Sequence, residues 1–224
     1  MNSESSKISA SMMCTNPFFM RETFDALVEG NVEYLHLDVM DGRFVPNLGI
    51  GLDYINALRD RTSISFDYHC MVINPDELLR ILDVRPGDII SIHYESSMQI
   101  MRTIENAKKL GASVFIAINP GTPVHALEEI IYFVDGVNLL MVNPGFAGQR
   151  MVPFGFTKAR KLRDYLEQKD VSHLQIEVDG NITCAHAREL RSLGASIFVA
   201  GTSSIFGKEG IRKDSIAELR NAIA

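Results

Sequence analysis

Residues 34–40 and 52–60 read YLHLDVM and LDYINALRD, a short apolar run followed by an amphipathic stretch, and this couplet decides the fold. In the first, Leu35, Leu37 and Val39 alternate with His36 and Asp38, the period of a strand. In the second, apolar residues recur at helical spacing. The couplet repeats as 8–13 with 18–30, 63–72 with 75–83, 88–94 with 98–111, 113–118 with 123–133, 136–142 with 156–168, 174–179 with 184–194, and 196–201 with 213–224. That makes eight strand and helix pairs, the alternation that builds parallel sheets with helical crossovers. Gly30, Gly111 and Gly194 each follow a helical stretch where a left-handed C-cap sits, and each precedes a new strand. With no linker or break in composition, residues 1–224 read as a single α/β domain, a closed (β/α)₈ TIM barrel. A doubly wound open sheet is the alternative.

A chain of 224 residues sits near the lower end of the size range for such a barrel. Its 46% hydrophobic and 22% charged residues are the balance of a soluble globular protein, and no apolar run reaches membrane-spanning length. A formal net charge of -6 leaves no broad basic field, so neither nucleic acid nor a membrane is an expected partner. A phosphate would have to be held by backbone geometry or by a metal. The start, MNSESSKIS, shows neither a secretory signal nor a transit peptide. Cys14, Cys70 and Cys184 lack CxxC spacing, which points to reduced thiols and a cytoplasmic location.

Polar residues interrupt the strands at particular places. His36 and Asp38 share one face of the second strand, Asp67, His69 and Met71 one face of the third, and Glu177 and Asp179 one face of the seventh. All are expected at the C-terminal mouth, where barrel enzymes place their chemistry. Taken singly, each histidine reads as a hydrogen-bonded barrel residue and each aspartate as a helix cap. Taken together, His36, Asp38, His69 and Asp179 offer two imidazoles and two carboxylates to one divalent ion, Zn²⁺, Fe²⁺, Mn²⁺ or Co²⁺, among which the spacing does not choose. His93 can join the pocket from the fourth strand, while Asp41 and Arg43 read first as a turn.

The glycines form a second constellation. NPGFAGQ follows the sixth strand, DGN the seventh and AGTSS the eighth, which places Gly145, Gly148, Gly180 and Gly201 where barrels commonly bind phosphate. Successive backbone amides can cradle an anion without lysine or arginine.

At LHLDVMDGRFVPN, DYHCMV, NPGFAGQ and VDGN, within residues 8–206, the chain resembles the ribulose-phosphate 3-epimerase family. The resemblance implies a (β/α)₈ barrel, one bound divalent metal, inversion at carbon 3 of a phosphorylated ketose, and a homo-oligomer. By matching motif it implies His36, Asp38, His69 and Asp179 as metal ligands and Asp38 and Asp179 as the acid/base pair. It further implies Ser11, His69, Met40 and Met71 as substrate contacts. The phosphate grip it implies is Gly145, Phe146, Ala147, Gly148, Gly180, Asn181, Gly201 and Thr202. The chemistry suits these residue types. A proton beside a carbonyl is too weakly acidic for an unaided carboxylate, and inversion needs one group on each face of the substrate.

Ala10, Ala147, Asn181, GTSSIF and the Leu140-Met141 pair depart from the usual ribulose-phosphate pattern. Met13-Cys14, GFAGQ, the residue after DG, and GTS resemble the sister D-allulose-6-phosphate 3-epimerases. These loops therefore favour D-allulose 6-phosphate and D-fructose 6-phosphate over the ribulose and xylulose 5-phosphates. Two rivals fit less well. A phosphosugar decarboxylase would carry Asp-x-Lys-x-x-Asp where this chain has His36-x-Asp38-x-x-Asp41, and a non-catalytic sugar-phosphate sensor has no need of both aspartates and both histidines.

Overall fold

The computed structural model describes residues 5–224; the expectation of no leader rests in part on residues 1–4, which lie outside them. Strands β1 (Lys7–Ser11), β2 (Tyr34–Met40), β3 (Ser65–Met71), β4 (Ile89–His93), β5 (Ser113–Ile118), β6 (Gly136–Leu140), β7 (Gln175–Asp179) and β8 (Ile197–Ala200) pair in parallel in chain order. The register of Lys7 with Ile197 through Ala10 with Ala200 joins β1 to β8 and closes the barrel, which excludes the open sheet. The crossovers carry α1 (Met20–Glu29), α2 (Leu52–Arg59), α3 (Pro75–Leu79), α4 (Ile100–Lys108), α5 (Gly155–Gln168) and α6 (Cys184–Ser192), and α7 (Ser215–Ile223) follows β8. Among the described residues no helix is long and apolar enough to cross a membrane.

Two expectations fail locally. The fifth crossover is not an α-helix but two 3₁₀ turns, Val124–Leu127 and Ile131–Phe133. Pro120 and Pro123 fix its entry, and the adjacent β-branched Ile130 and Ile131 disfavour a continuous helical turn. Gly111 and Gly194 take the expected left-handed conformation at φ 84 and 95, but Gly30 does not, and Asn31 takes it one residue later at φ 49. Gly30 is needed for space instead, because a Cβ there would meet Ile216 Cδ1 at 2.7 Å. A short hairpin, β9 (Phe206–Gly207) with β10 (Gly210–Ile211), sits between β8 and α7 and has no counterpart in the couplet pattern.

The pleat sorts side chains between two cores. Leu35, Leu37 and Val39 of β2 face outward and join the layer that packs on Leu27 of α1 and Ile55 of α2. Inside, three tiers stack. Tyr34, Ile89, Phe115 and Ile197 form an apolar plug at the N-terminal end of the strands. Gly136 gives the Phe115 ring room, since a Cβ there would sit 2.6 Å from its Cζ. Above the plug lie Ser9, His36, Asp67, Ser91, Asn138 and Glu177, all fully buried. The third tier is the mouth.

Outside the barrel, α2 is fastened by charge. Its Arg59 lies 3.5 Å above the Phe66 ring and donates to Asp88 at 2.5 Å and to the Tyr68 hydroxyl at 3.1 Å. Asp88 also accepts the Phe66 and Arg85 amides, so both of its oxygens are engaged. Removing the cation leaves a buried carboxylate uncompensated. Arg59→Met is expected to cost about 3–5 kcal/mol in urea denaturation. A loss under about 1 kcal/mol, the range of exposed pairs, would show that water reaches Asp88.

Candidate metal centre and active site

The register that closes the barrel also aligns the candidate ligands. His36 of β2 pairs with Asp67 of β3, and one step up Asp38 pairs with His69. Asp179 arrives at the end of β7, alongside Leu140. One ligand atom from each of His36, Asp38, His69 and Asp179 lies within 4.8 Å of every other. His69 Nδ1 is 3.3 Å from Asp38 Oδ1 and 3.4 Å from Asp179 Oδ2; His36 Nε2 is 3.4 Å and 3.8 Å from the same two carboxylates. Four donors about 2.1 Å from a tetrahedral ion stand roughly 3.4 Å apart, so this spacing suits one divalent cation.

Hydrogen bonding favours the same reading. His36 Nε2 is fully buried and makes no hydrogen bond. Its other nitrogen, Nδ1, is 2.6 Å from Asp67 Oδ2, which also accepts the Ser9 hydroxyl at 2.7 Å. Burial raises the Asp67 carboxyl, but His36 outweighs it, together with hydrogen bonds from Glu177 and Ser9, and the net shift is downward. An ionised Asp67 is a pure acceptor, so His36 keeps a proton on Nδ1, and Nε2 is the nitrogen that gives up its proton and offers a lone pair when a cation takes the cluster.

The two cluster carboxylates are driven apart. Burial pushes Asp38 up, but the adjacent His36 and His69 overcome it and hold the carboxyl well below the usual range. Burial also raises Asp179, and there the histidines compensate only in part while Asp38 and Asp67 push it further up. His36 itself is raised well above the ordinary imidazole value, because Asp67 and Asp38 outweigh its burial. Glu177 is raised strongly by burial and by Asp67.

The mouth gathers nearly every residue the motifs single out. Ser11, Asp38, Met40, His69, Met71, Gly145, Phe146, Ala147, Gly148, Asp179, Gly180, Asn181, Gly201 and Thr202 all line one pocket. Among the described residues, no lysine or arginine does. Ser11 donates to Asp38 Oδ2 at 3.1 Å. Met40 and Met71 pack with Val45 beside the cluster, so they fill a small core and line the pocket together. Four placements differ from expectation. His36, Asp67 and Glu177 lie one tier below the mouth, in the buried polar layer, with His36 Nε2 reaching up to the cluster. His93 does not reach the pocket; it stands behind His69, with the two Nε2 atoms 2.8 Å apart. Asp41, by contrast, forms the expected turn, accepting the Arg43, Phe44 and Ile73 amides and so tying the β2 loop to the β3 loop.

The glycine loops approach one another closely. A Cβ on Gly145 would meet Val45 Cβ at 2.9 Å, and the Asn47 amide donates to the Gly145 carbonyl at 2.7 Å. Gly180, at φ 113, has no room for a side chain beside Val142, and Asn181 follows in the left-handed region at φ 55. Ser203 donates to Asn181 Oδ1 at 2.5 Å, joining the loops after β7 and β8. The motif reading missed Ser203, Cys14, Val142 and Gln149 as pocket residues, and Glu95 as a partner of His93. Only Glu95 carried a sequence signal, two residues beyond His93 at the end of β4.

Comparison with known proteins agrees with this arrangement. A family model described as the ribulose-phosphate 3 epimerase family matches residues 7–206. The chain is 38% identical over 190 residues to the ribulose-phosphate 3-epimerase of Aquifex aeolicus (strain VF5), covering 85% of each. It is 38% identical over 202 residues to the chloroplastic ribulose-5-phosphate-3-epimerase of Arabidopsis thaliana, covering 89% of this chain and 71% of that one. Among solved structures, a 3-hexulose-6-phosphate synthase superposes with a TM-score of 0.69 at 16% identity, over 97% of this chain and 100% of the other, a likeness of fold alone. With the barrel, the two-histidine, two-aspartate cluster and a match over most of its length, the chain belongs to the ribulose-phosphate 3-epimerase family.

Proposed function

We propose that this protein is a divalent-metal-dependent ketose-phosphate 3-epimerase interconverting D-ribulose 5-phosphate and D-xylulose 5-phosphate. The observation that carries the reading is the geometry of the cluster: two carboxylates, Asp38 and Asp179, and two imidazoles offer donor atoms within 4.8 Å of one another, and Asp38 and Asp179 both line the glycine-rimmed pocket. Two carboxylates at one cluster can act in turn as base and acid, which is what inversion through opposite faces requires. His36 and His69 complete the donor set with Asp38 and Asp179. When bound there, a divalent ion supplies the positive charge that offsets the negative charge developing on the sugar oxygens as carbon 3 loses its proton.

The remaining steps belong to the chain's own groups. Asp38 removes the proton from carbon 3 of one epimer and Asp179 returns one to the opposite face; the roles exchange in the reverse direction. Ser11 steadies Asp38 through its hydroxyl. Met40 and Met71 supply an apolar, weakly hydrated wall that strengthens the electrostatics beside the enediolate. The backbone amides around Gly145–Gly148, Gly180–Asn181 and Gly201–Thr202 hold the phosphate, which suits a pocket without cationic side chains.

The six-carbon preference read from the loops is the weaker one. The relatives' names support the five-carbon substrate. Asn181 and Ser203 bond to each other and draw two loops together.

Asp179→Asn is expected to lower turnover by about 10²–10⁴-fold while the fold and bound metal are retained, since the amide cannot cycle a proton. The deuterium content of substrate and product in heavy water separates exchange on the remaining face from inversion. Near-normal turnover in the metal-loaded mutant would remove Asp179 from proton transfer. For substrate choice, kcat/KM is expected to be about 10–200-fold higher for ribulose 5-phosphate than for allulose 6-phosphate, the usual worth of one carbon in a fitted pocket. The reverse order would restore the six-carbon reading and leave the epimerase chemistry standing.

A further inference from the structure

Behind His69, outside the pocket lining, a line of polar atoms runs from the buried His69 and His93 rings out to the partly exposed Glu95. His69 Nε2 lies 2.8 Å from His93 Nε2, with the ring planes 23° apart and their centroids 5.0 Å apart. His93 Nδ1 lies 3.3 Å from Glu95 Oε2. The other oxygen of Glu95 accepts the Asn119 amide at 3.0 Å and the Thr122 hydroxyl. Lys158 Nζ in turn donates to the Asn119 carbonyl at 2.5 Å and the Pro120 carbonyl at 3.1 Å, which fixes the loop after β5 that anchors Glu95.

The proton positions follow in one direction only. Glu95 accepts two hydrogen bonds at Oε1, so it stands as an acceptor toward His93, and His93 Nδ1 must carry a proton. A neutral His93 then has its lone pair on Nε2, and the hydrogen between the two rings belongs to His69 Nε2. A neutral His69 is left with a bare Nδ1, the nitrogen that faces Asp38 Oδ1 and Asp179 Oδ2 at 3.3 and 3.4 Å. The opposite order would leave lone pairs of His93 and Glu95 facing each other.

We infer that His93, anchored by Glu95, is a positioning residue that fixes the tautomer and ring orientation of His69 and so prepares Nδ1 for a divalent cation. It acts for His69 as Asp67 acts for His36, with an imidazole inserted between ligand and carboxylate. The inference rests on His69 being a metal ligand in the proposed epimerase. It makes the N-terminal end of the β5 crossover, through Glu95, part of the machinery that sets metal affinity.

The test uses the full chain stripped by a chelator and titrated with Co²⁺ alone, read by visible absorption, so no sugar or turnover enters. His93→Leu removes the acceptor and is expected to weaken Co²⁺ binding by about 10–100-fold. His93→Gln, whose side-chain oxygen can reach the position of Nε2, is expected to recover most of the affinity. In wild-type protein with ¹⁵N-labelled histidine and bound Zn²⁺, NMR is expected to show the His69 proton on Nε2. This reading stands even where His93→Leu fails to fold. Wild-type Co²⁺ affinity in a folded His93→Leu protein, an equal loss in both variants, or a His69 proton on Nδ1 would each overturn the positioning role while leaving the epimerase reading intact. Absence of Co²⁺ binding by the wild type would overturn both.

Discussion

An imidazole sealed from water can place its proton in only one of two positions, and the partner on its far side decides which. For His36 that partner is Asp67, 2.6 Å from Nδ1 and itself held by Ser9. Everything at the mouth depends on this bond. It turns Nε2 toward the carboxylates, and it requires a charged group inside the barrel where an aliphatic residue would pack more simply. A buried carboxylate is tolerable only with good hydrogen bonds around it. The second tier supplies them to Asp67 through His36, Ser9 and Glu177, and among the described residues leaves both Asn138 amide atoms without partners. The interior has given up apolar packing at its centre to hold two histidines in one orientation.

That polar tier is tolerated because the layers on either side of it are well packed. Tyr34, Ile89, Phe115 and Ile197 seal the barrel below, and the outward faces of the strands meet the helices in one continuous apolar layer. The strain of the site is thus confined to a disc one residue deep. Its rim is the set of glycine loops, where close contacts such as Gly180 against Val142 fix the backbone without a bulky side chain.

The barrel was legible in the sequence because each strand writes its two faces in alternation: Leu35, Leu37 and Val39 against His36 and Asp38 is a local pattern that needs no knowledge of neighbours. The same alternation put His36 with Asp38, and His69 with Met71, on shared faces. Depth is not local. Asp67 and Glu177 obey the same parity as the mouth residues, and only the stagger of neighbouring strands shows them to lie a tier lower. Bonds between distant segments were likewise out of reach, as with Ser203 to Asn181 or Thr122 to Glu95. The fifth crossover misled because its apolar spacing suits a helix, while the prolines at its entry and the paired isoleucines do not.

The plug at the foot of the barrel has a kinetic side. With Tyr34, Ile89, Phe115 and Ile197 stopping the axis below, the cluster faces solvent through the pocket at the mouth, the one the sugar phosphate would occupy under the proposed function. Under the proposed function an ion, water, substrate and product would all use that same mouth. A ligand seated there stands between the ion and bulk water. Under the proposed function such a vestibule would have the cation enter before the sugar phosphate and leave after it, shielded from scavenging chelators while the mouth is full.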